Sequence, residues 1–250
     1  MDKDMGYWGR GWQRTAVVLL LAAGLLGCAR QPLTQQPPPV PAAGRITPSE
    51  LPEHYWWRAC FRMPFDEHGE PRWSLDLLLA ERLAAPALRR HAAQIPLWRF
   101  HRRAAKDAVG HQFSLLFYSD KATADRLFAE LAQDPLLPAL IDRQYLTRLI
   151  SPCGDPQPRR PLEATSDPSW DIRLQRTWPH FIMGVSAHWL ALIEEVGAQF
   201  PAESDAPDAL LARYGRIQEE IDAIWREEGQ HAYLHHLNAL FGYRPLLIRY

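Results

Sequence analysis

Cysteine is scarce, with three among 250 residues, and none of the three makes a Cys-x-x-Cys pair. That excludes the paired-cysteine zinc motifs. Long apolar runs are also missing. The longest, Ala16 to Leu26, has eleven residues, whereas a helix needs about 20 to cross a bilayer, so no membrane-spanning helix is expected. No glycine-rich loop cradles phosphates and no dinucleotide fingerprint follows a strand pattern, so nucleotide chemistry has no signature here. An excess of charge is absent too. The formal net charge of −1 gives no general affinity for polyanions, and nucleic acid is not an expected partner.

Aromatic side chains are abundant, with ten Trp, nine Phe and eight Tyr. In a folded domain such a count predicts a heavily aromatic core. Proline is also frequent and clusters early in the chain, at Pro32, Pro37, Pro38, Pro39, Pro41 and Pro48.

The first residues carry Lys3, Arg10 and Arg14, offset by Asp2 and Asp4; a start at Met5 instead of Met1 would make this end purely basic. A basic end, a short apolar run and a small-residue cleavage site form the pattern of a secretory signal. Leu25-Leu26-Gly27-Cys28 resembles the lipobox of bacterial lipoproteins. The resemblance implies a signal peptide over 1–27, cleavage before Cys28, and diacylglyceryl and acyl groups on that cysteine. Several acyl chains at about 0.8 kcal/mol per buried CH₂ anchor a protein almost irreversibly. Ala29 follows the cysteine where an Asp would resemble an inner-membrane retention signal, so the outer membrane of the envelope is favoured. Residues 28–48 then read as the lipidated cysteine and a Pro-rich tether. In the exported part Cys60 and Cys153 remain, and two readings stay open: a disulfide of an oxidising compartment, or two isolated thiols.

Residues 49–160 alternate strand and helix patterns. Strand-like runs cover 55–63, 96–104, 111–119 and 145–150. Ser74 is a candidate cap for a first helix, with Asp76 in its first turn and Pro86 set to bend or break it. Asp120 opens a second helix, ending near Pro135. The order strand–helix–strand–strand–helix–strand predicts an α+β fold with a ferredoxin-like split βαβ sheet. Successive strand side chains point to opposite faces. Tyr55, Trp57, Ala59, Phe61, Trp98, Phe100, Phe113, Leu115 and Phe117 would share a core face. Arg58, Arg62, Arg99, His101, Arg103 and Arg148 would share the other. Guanidinium forks suit carboxylate and phosphate groups, so this face is the candidate binding surface. Two competing fates are equally concrete: the C-terminal half covers it with its acids paired to the arginines, or the face is simply solvated.

Residues 161–250 read as a helical C-terminal half. Asp167-Pro168 has the form of a cap and first helical residue, and a second helix start is expected at Trp178-Pro179. Phe181 to Ile193 is apolar nearly all round, which predicts a helix buried on every side. Ser204 or Asp205 caps a further helix with a stripe of Leu210, Tyr214, Ile217, Ile221 and Ile224 and an otherwise acidic surface. Pro245 to Tyr250 is apolar enough for an edge strand.

Three constellations could carry chemistry. Glu228, His231 and His235 lie at i, i+3 and i+7, and Glu-x-x-His is one half of a carboxylate-bridged di-iron pattern whose second half is missing. His101, Asp107 and His111 surround one predicted loop and offer acid, base and orienter. Gly184-Val185-Ser186-Ala187-His188 nearly matches the nucleophile elbow, but inside a helical pattern. No cofactor is expected beyond the lipid on Cys28. The expected role is a non-enzymatic envelope adaptor, assembly factor or binding protein. Its partners would be the membrane, through the lipid, and another envelope protein or an anionic cell-wall component. The alternative is a membrane-tethered enzyme or metal-binding protein using the histidine cluster or the His101–His111 loop.

Overall fold

A computed structural model describes residues 53–154 and 161–246. Cys28, the signal and tether segments, and most of the expected edge strand at Pro245–Tyr250 lie outside the described residues. The alternating aromatic runs form β1 (Tyr55–Met63), β2 (Leu97–Ala104) and β3 (His111–Ser119), and the shorter β4 spans Arg148–Ile150. They make one four-stranded sheet in the order β2-β3-β1-β4, every neighbouring pair antiparallel. The fold is thus mixed α and β, with the longest helices in the C-terminal half.

Between β1 and β2 the chain forms α1 (Trp73–Leu78), a π-helical turn (Leu79–Ala84) and α2 (Ala85–Arg90). Pro86 does not break this stretch. It sits where the π-helical turn passes into α2, and that wide turn leaves room for its ring. Ser74 does not cap α1; the cap position is Arg72, without a side-chain hydrogen bond. Between β3 and β4 lie α3 (Lys121–Gln133) and a short α4 (Leu136–Asp142). Asp120 caps α3, accepting from the Thr123 N–H at 2.8 Å.

The C-terminal half is α5 (Ile172–Gly197), α6 (Pro207–Gly229), a π-helical turn (Gln230–His235) and α7 (His236–Leu240). The expected restart at Trp178-Pro179 is not there. The helix runs through Pro179 because neighbouring groups take over the missing N–H. The Gln175 carbonyl, four residues before the proline, accepts instead from the Ser166 hydroxyl at 2.8 Å. Asp171, not Asp167, caps this helix, accepting from the Arg173 N–H.

One core unites both halves: Phe61, Phe113 and Phe117 of the sheet, Leu77, Leu78 and Leu83 of the first helical stretch, and Ile193, Tyr214 and Ile217 of α5 and α6. Wrapping is one-sided, however. Phe181 and Val185 remain 44% and 45% exposed, so α5 is buried along a single stripe through Ser186, Leu190, Ile193 and Val196 and not all round. Its Ser186 hydroxyl accepts from the Phe100 N–H at 3.1 Å and donates to the Ile182 carbonyl, which occupies one backbone donor on the open edge of β2. No helix among the described residues is long and apolar enough to cross a membrane.

Candidate functional site

The register fixes the composition of the sheet's second face. Arg58 pairs with Leu116, Cys60 with Ser114 and Arg62 with Gln112 across β1 and β3; Arg99, His101 and Arg103 face the same three β3 residues from β2. Arg148 stands opposite Arg62 on β4. Since every second residue shares a face, these basic residues form one surface around the buried Ser114 and Gln112. A disulfide joins Cys60, in the middle of this face, to Cys153 beyond β4.

The C-terminal helices do not lie across this face with their acids. A short 3-10 helix, Leu162–Thr165, covers its far end, where Trp56, Leu97, Leu116, Tyr118 and Leu162 form a second small core. The Trp56 indole N–H donates to the Leu162 carbonyl at 3.1 Å, and Arg99 Nη2 donates to the Thr165 carbonyl at 3.0 Å. A neutral carbonyl satisfies a hydrogen bond without balancing the charge. Among the described residues Arg62, Arg99 and Arg148 form no ion pair with a carboxylate. The Nε atoms of Arg62 and Arg99 are buried without a hydrogen-bond partner among the described residues. Burial, reinforced by the Arg58 charge, pushes the Arg99 guanidinium down to about 10. Partial desolvation beside its neighbours, then the charges of Arg99, Arg58 and Arg103, also lowers the pKa of His101, although that side chain keeps contact with solvent. The face thus concentrates positive charge that neighbouring side chains only partly offset.

The loop constellation separates. Asp107 pairs with Arg103 and accepts from the Val109 and Gly110 N–H groups, so it closes the β2–β3 turn and its carboxyl is held well below the usual range. His101 is exposed on the cationic face, while His111 is fully buried on the core face. There His111 Nε2 lies 3.1 Å from Asp76 Oδ1, and Arg102 Nε donates to Asp76 Oδ2 at 2.7 Å. Asp76, in the first turn of α1 as expected, is a fully buried carboxylate linking α1 to β2 and β3.

The C-terminal histidines do cluster, with His231 and His235 ring centroids 5.2 Å apart and His236 at 5.3 Å from both. They are exposed, His231 stacks on His235 while His236 meets both edge-on, and the helix is a π-turn at Gln230–His235, which alters the regular i, i+3, i+7 geometry. Among the described residues no group of three His, Cys, Asp or Glu side chains could hold a metal ion. Ser186 is buried and engaged at the β2 edge, without the exposure an attacking hydroxyl needs.

The sequence reading missed a groove of about 920 Å³ between α5 and α6 with the turn that follows. Phe181, Val185, Trp189, Ile221, Trp225 and Tyr233 line it, and Arg102 lies among them. His188 Nε2 and the Tyr233 hydroxyl are 3.0 Å apart across the two helices, and Trp225 stacks on Tyr233. The exposed apolar positions along α5 were the available signal, but read alone they imply burial.

Comparison of the chain with protein-family models, curated proteins and solved structures finds no match in any of the three.

Proposed function

We propose that this chain is a lipid-anchored envelope protein that binds through the cationic sheet face and performs no chemistry of its own. The observation that carries the binding reading is the group Arg62, Arg99 and Arg148, gathered on one face with no carboxylate partner among the described residues. Like charges held together this way repel, and an anionic partner relieves that repulsion while guanidinium forks bind it in fixed geometry. The partner class is an acidic envelope protein or an anionic cell-wall component bearing carboxylate or phosphate groups. The anchor is the lipid on Cys28, and the Pro-rich tether, at about 3.1 Å per residue, lets the face work away from the bilayer. The outer membrane is the proposed site. Both α-β connections being helical, the strand order β4-β1-β3-β2 supports reading the sheet as the ferredoxin-like split βαβ arrangement.

The test is in-cell photo-crosslinking with a photoreactive residue replacing the exposed His101. A salt-sensitive adduct with an anionic envelope component, lost in Arg62→Gln/Arg99→Gln/Arg148→Gln, is the expected outcome. Adducts only within the chain, or none, with the protein at its normal level in the envelope, would reject the reading.

A further inference from the structure

The groove between α5 and α6 does not end where its lining ends. Past the π-helical turn that carries Tyr233, the chain continues into α7, whose exposed Leu237 and Leu240 stand three residues apart and share one side. On the near helix Phe181 leads back to Leu174, seven residues earlier. These continuations are uncovered: Leu240 is 83% exposed and Phe241 70%. Among the described residues, two apolar helix stripes thus leave the body with no cover along their outer length.

We infer that a second copy of this chain covers them, the two α5–α6 pairs packing apolar face to apolar face about a twofold axis. Three observations select this occupant. The first is area. With about 200 Å² for a whole aromatic side chain and less for an aliphatic one, the bare parts of Phe181, Val185, Trp225, Leu237, Leu240 and Phe241 reach roughly 600 Å² per copy. A standard-size interface takes ~800 Å² from each partner, so these six residues supply most of its core. The second is shape. A small ligand would fill the inner groove and leave Leu237, Leu240 and Phe241 bare, whereas a helix pair covers groove and stripe together, as in four-helix bundles. The third is charge. Glu219, Glu220, Asp222, Glu227 and Glu228 outnumber Arg216 and Arg226 along this part of α6, and no acidic side chain follows Glu228, where Arg244 stands. Antiparallel packing of two such rods keeps the two acidic stretches apart and sets each beside the acid-free end of the other, with its Arg244. The same acids disfavour an anionic bilayer surface as the cover.

A self-complementary contact of this kind is isologous and closes as a dimer. It leaves the cationic face of each copy outside the contact, so its failure and that of the anion-binding reading are separable. The test uses the full chain carrying a photoreactive residue in place of Leu240, co-expressed as two differently tagged copies. The expected product is an adduct carrying both tags, reduced at least tenfold by Leu237→Glu with Trp225→Ala. Sedimentation equilibrium of the purified full chain in detergent adds a second reading: a dimer in the wild type and a monomer in Leu237→Glu/Phe241→Glu. These positions are exposed, so the substitutions leave the fold intact. A single-tag adduct with lipid or another protein, the absence of any adduct, or a dimer that survives both glutamates would overturn the inference.

Discussion

Asp76 is the residue whose removal tests the interior most sharply. Its carboxylate is wholly buried and accepts from Arg102 Nε at 2.7 Å, while His111 Nε2 stands 3.1 Å from its other oxygen. Arg102 is held further by the Trp73 carbonyl and Gln218, and its guanidinium lies over the Trp73 and Trp189 rings at 4.8 and 5.0 Å. Asp76→Ala leaves that guanidinium without its ion-pair partner. Breaking a buried pair from one side costs about 3–5 kcal/mol. Because the Arg102 side chain keeps 27% of its surface in solvent, the lower end applies, about 3 kcal/mol. Urea unfolding followed by circular dichroism measures it. Asp76→Asn/Arg102→Met, which removes both charges, should be more stable than Asp76→Ala. A loss under about 1 kcal/mol for Asp76→Ala would refute the buried charged network, since that is the scale of an exposed pair.

Other perturbations reach different parts of the structure. The Cys60–Cys153 disulfide closes a loop over a sequence separation of 93. Chain entropy for a loop of that size gives roughly 4–5 kcal/mol, so Cys60→Ala/Cys153→Ala should lower the unfolding free energy by about 2–5 kcal/mol; an unchanged urea midpoint would contradict the bond's structural role. Ser166→Ala should cost about 1 kcal/mol by orphaning the Gln175 carbonyl, and Pro179→Ala, which restores an N–H there, should cancel most of that loss in a double-mutant cycle. The His101 pKa is lowered by partial desolvation and by the charges of Arg99, Arg58 and Arg103, so the free protein holds this ring neutral to lower pH than an ordinary histidine. A bound anion offsets the repulsion and raises that pKa, so binding takes up a proton and strengthens as pH falls. Titration calorimetry with inorganic sulfate, whose charge is constant in this range, should show tighter binding at pH 5.5 than at 7.5. The difference should vanish in His101→Gln.

How far the sequence could be read divides along physical lines. The strands β1, β2 and β3 were legible because a sheet with one packed face imposes a two-residue rhythm, and Trp57-Ala59-Phe61 and Phe113-Leu115-Phe117 keep it strictly. Arg58, Arg62, Arg99, His101 and Arg103 followed from the same rhythm onto one face. Asp120 was readable as a cap because capping is a local bond. What escaped depends on partners far along the chain. Asp76 is buried because Arg102 and His111 reach it from 26 and 35 residues away. Pro179 is tolerated because Ser166 happens to supply the missing donor. The apolar circumference of α5 suggested burial all round, yet a helix's composition does not count its neighbours. Only packing reveals that Phe181 and Val185 face the groove.

The central claim is that the cationic sheet face holds an anionic group, and the most direct measurement observes its guanidinium N–H resonances by nuclear magnetic resonance in the full chain during titration with inorganic sulfate. The account predicts that the Arg62 and Arg99 resonances, whose Nε atoms lack partners among the described residues, shift first and saturate together, while those of Arg102, held by Asp76, stay in place. Shifts that begin at Arg102 and leave Arg62 and Arg99 unmoved, or no saturable shift at all, would contradict it.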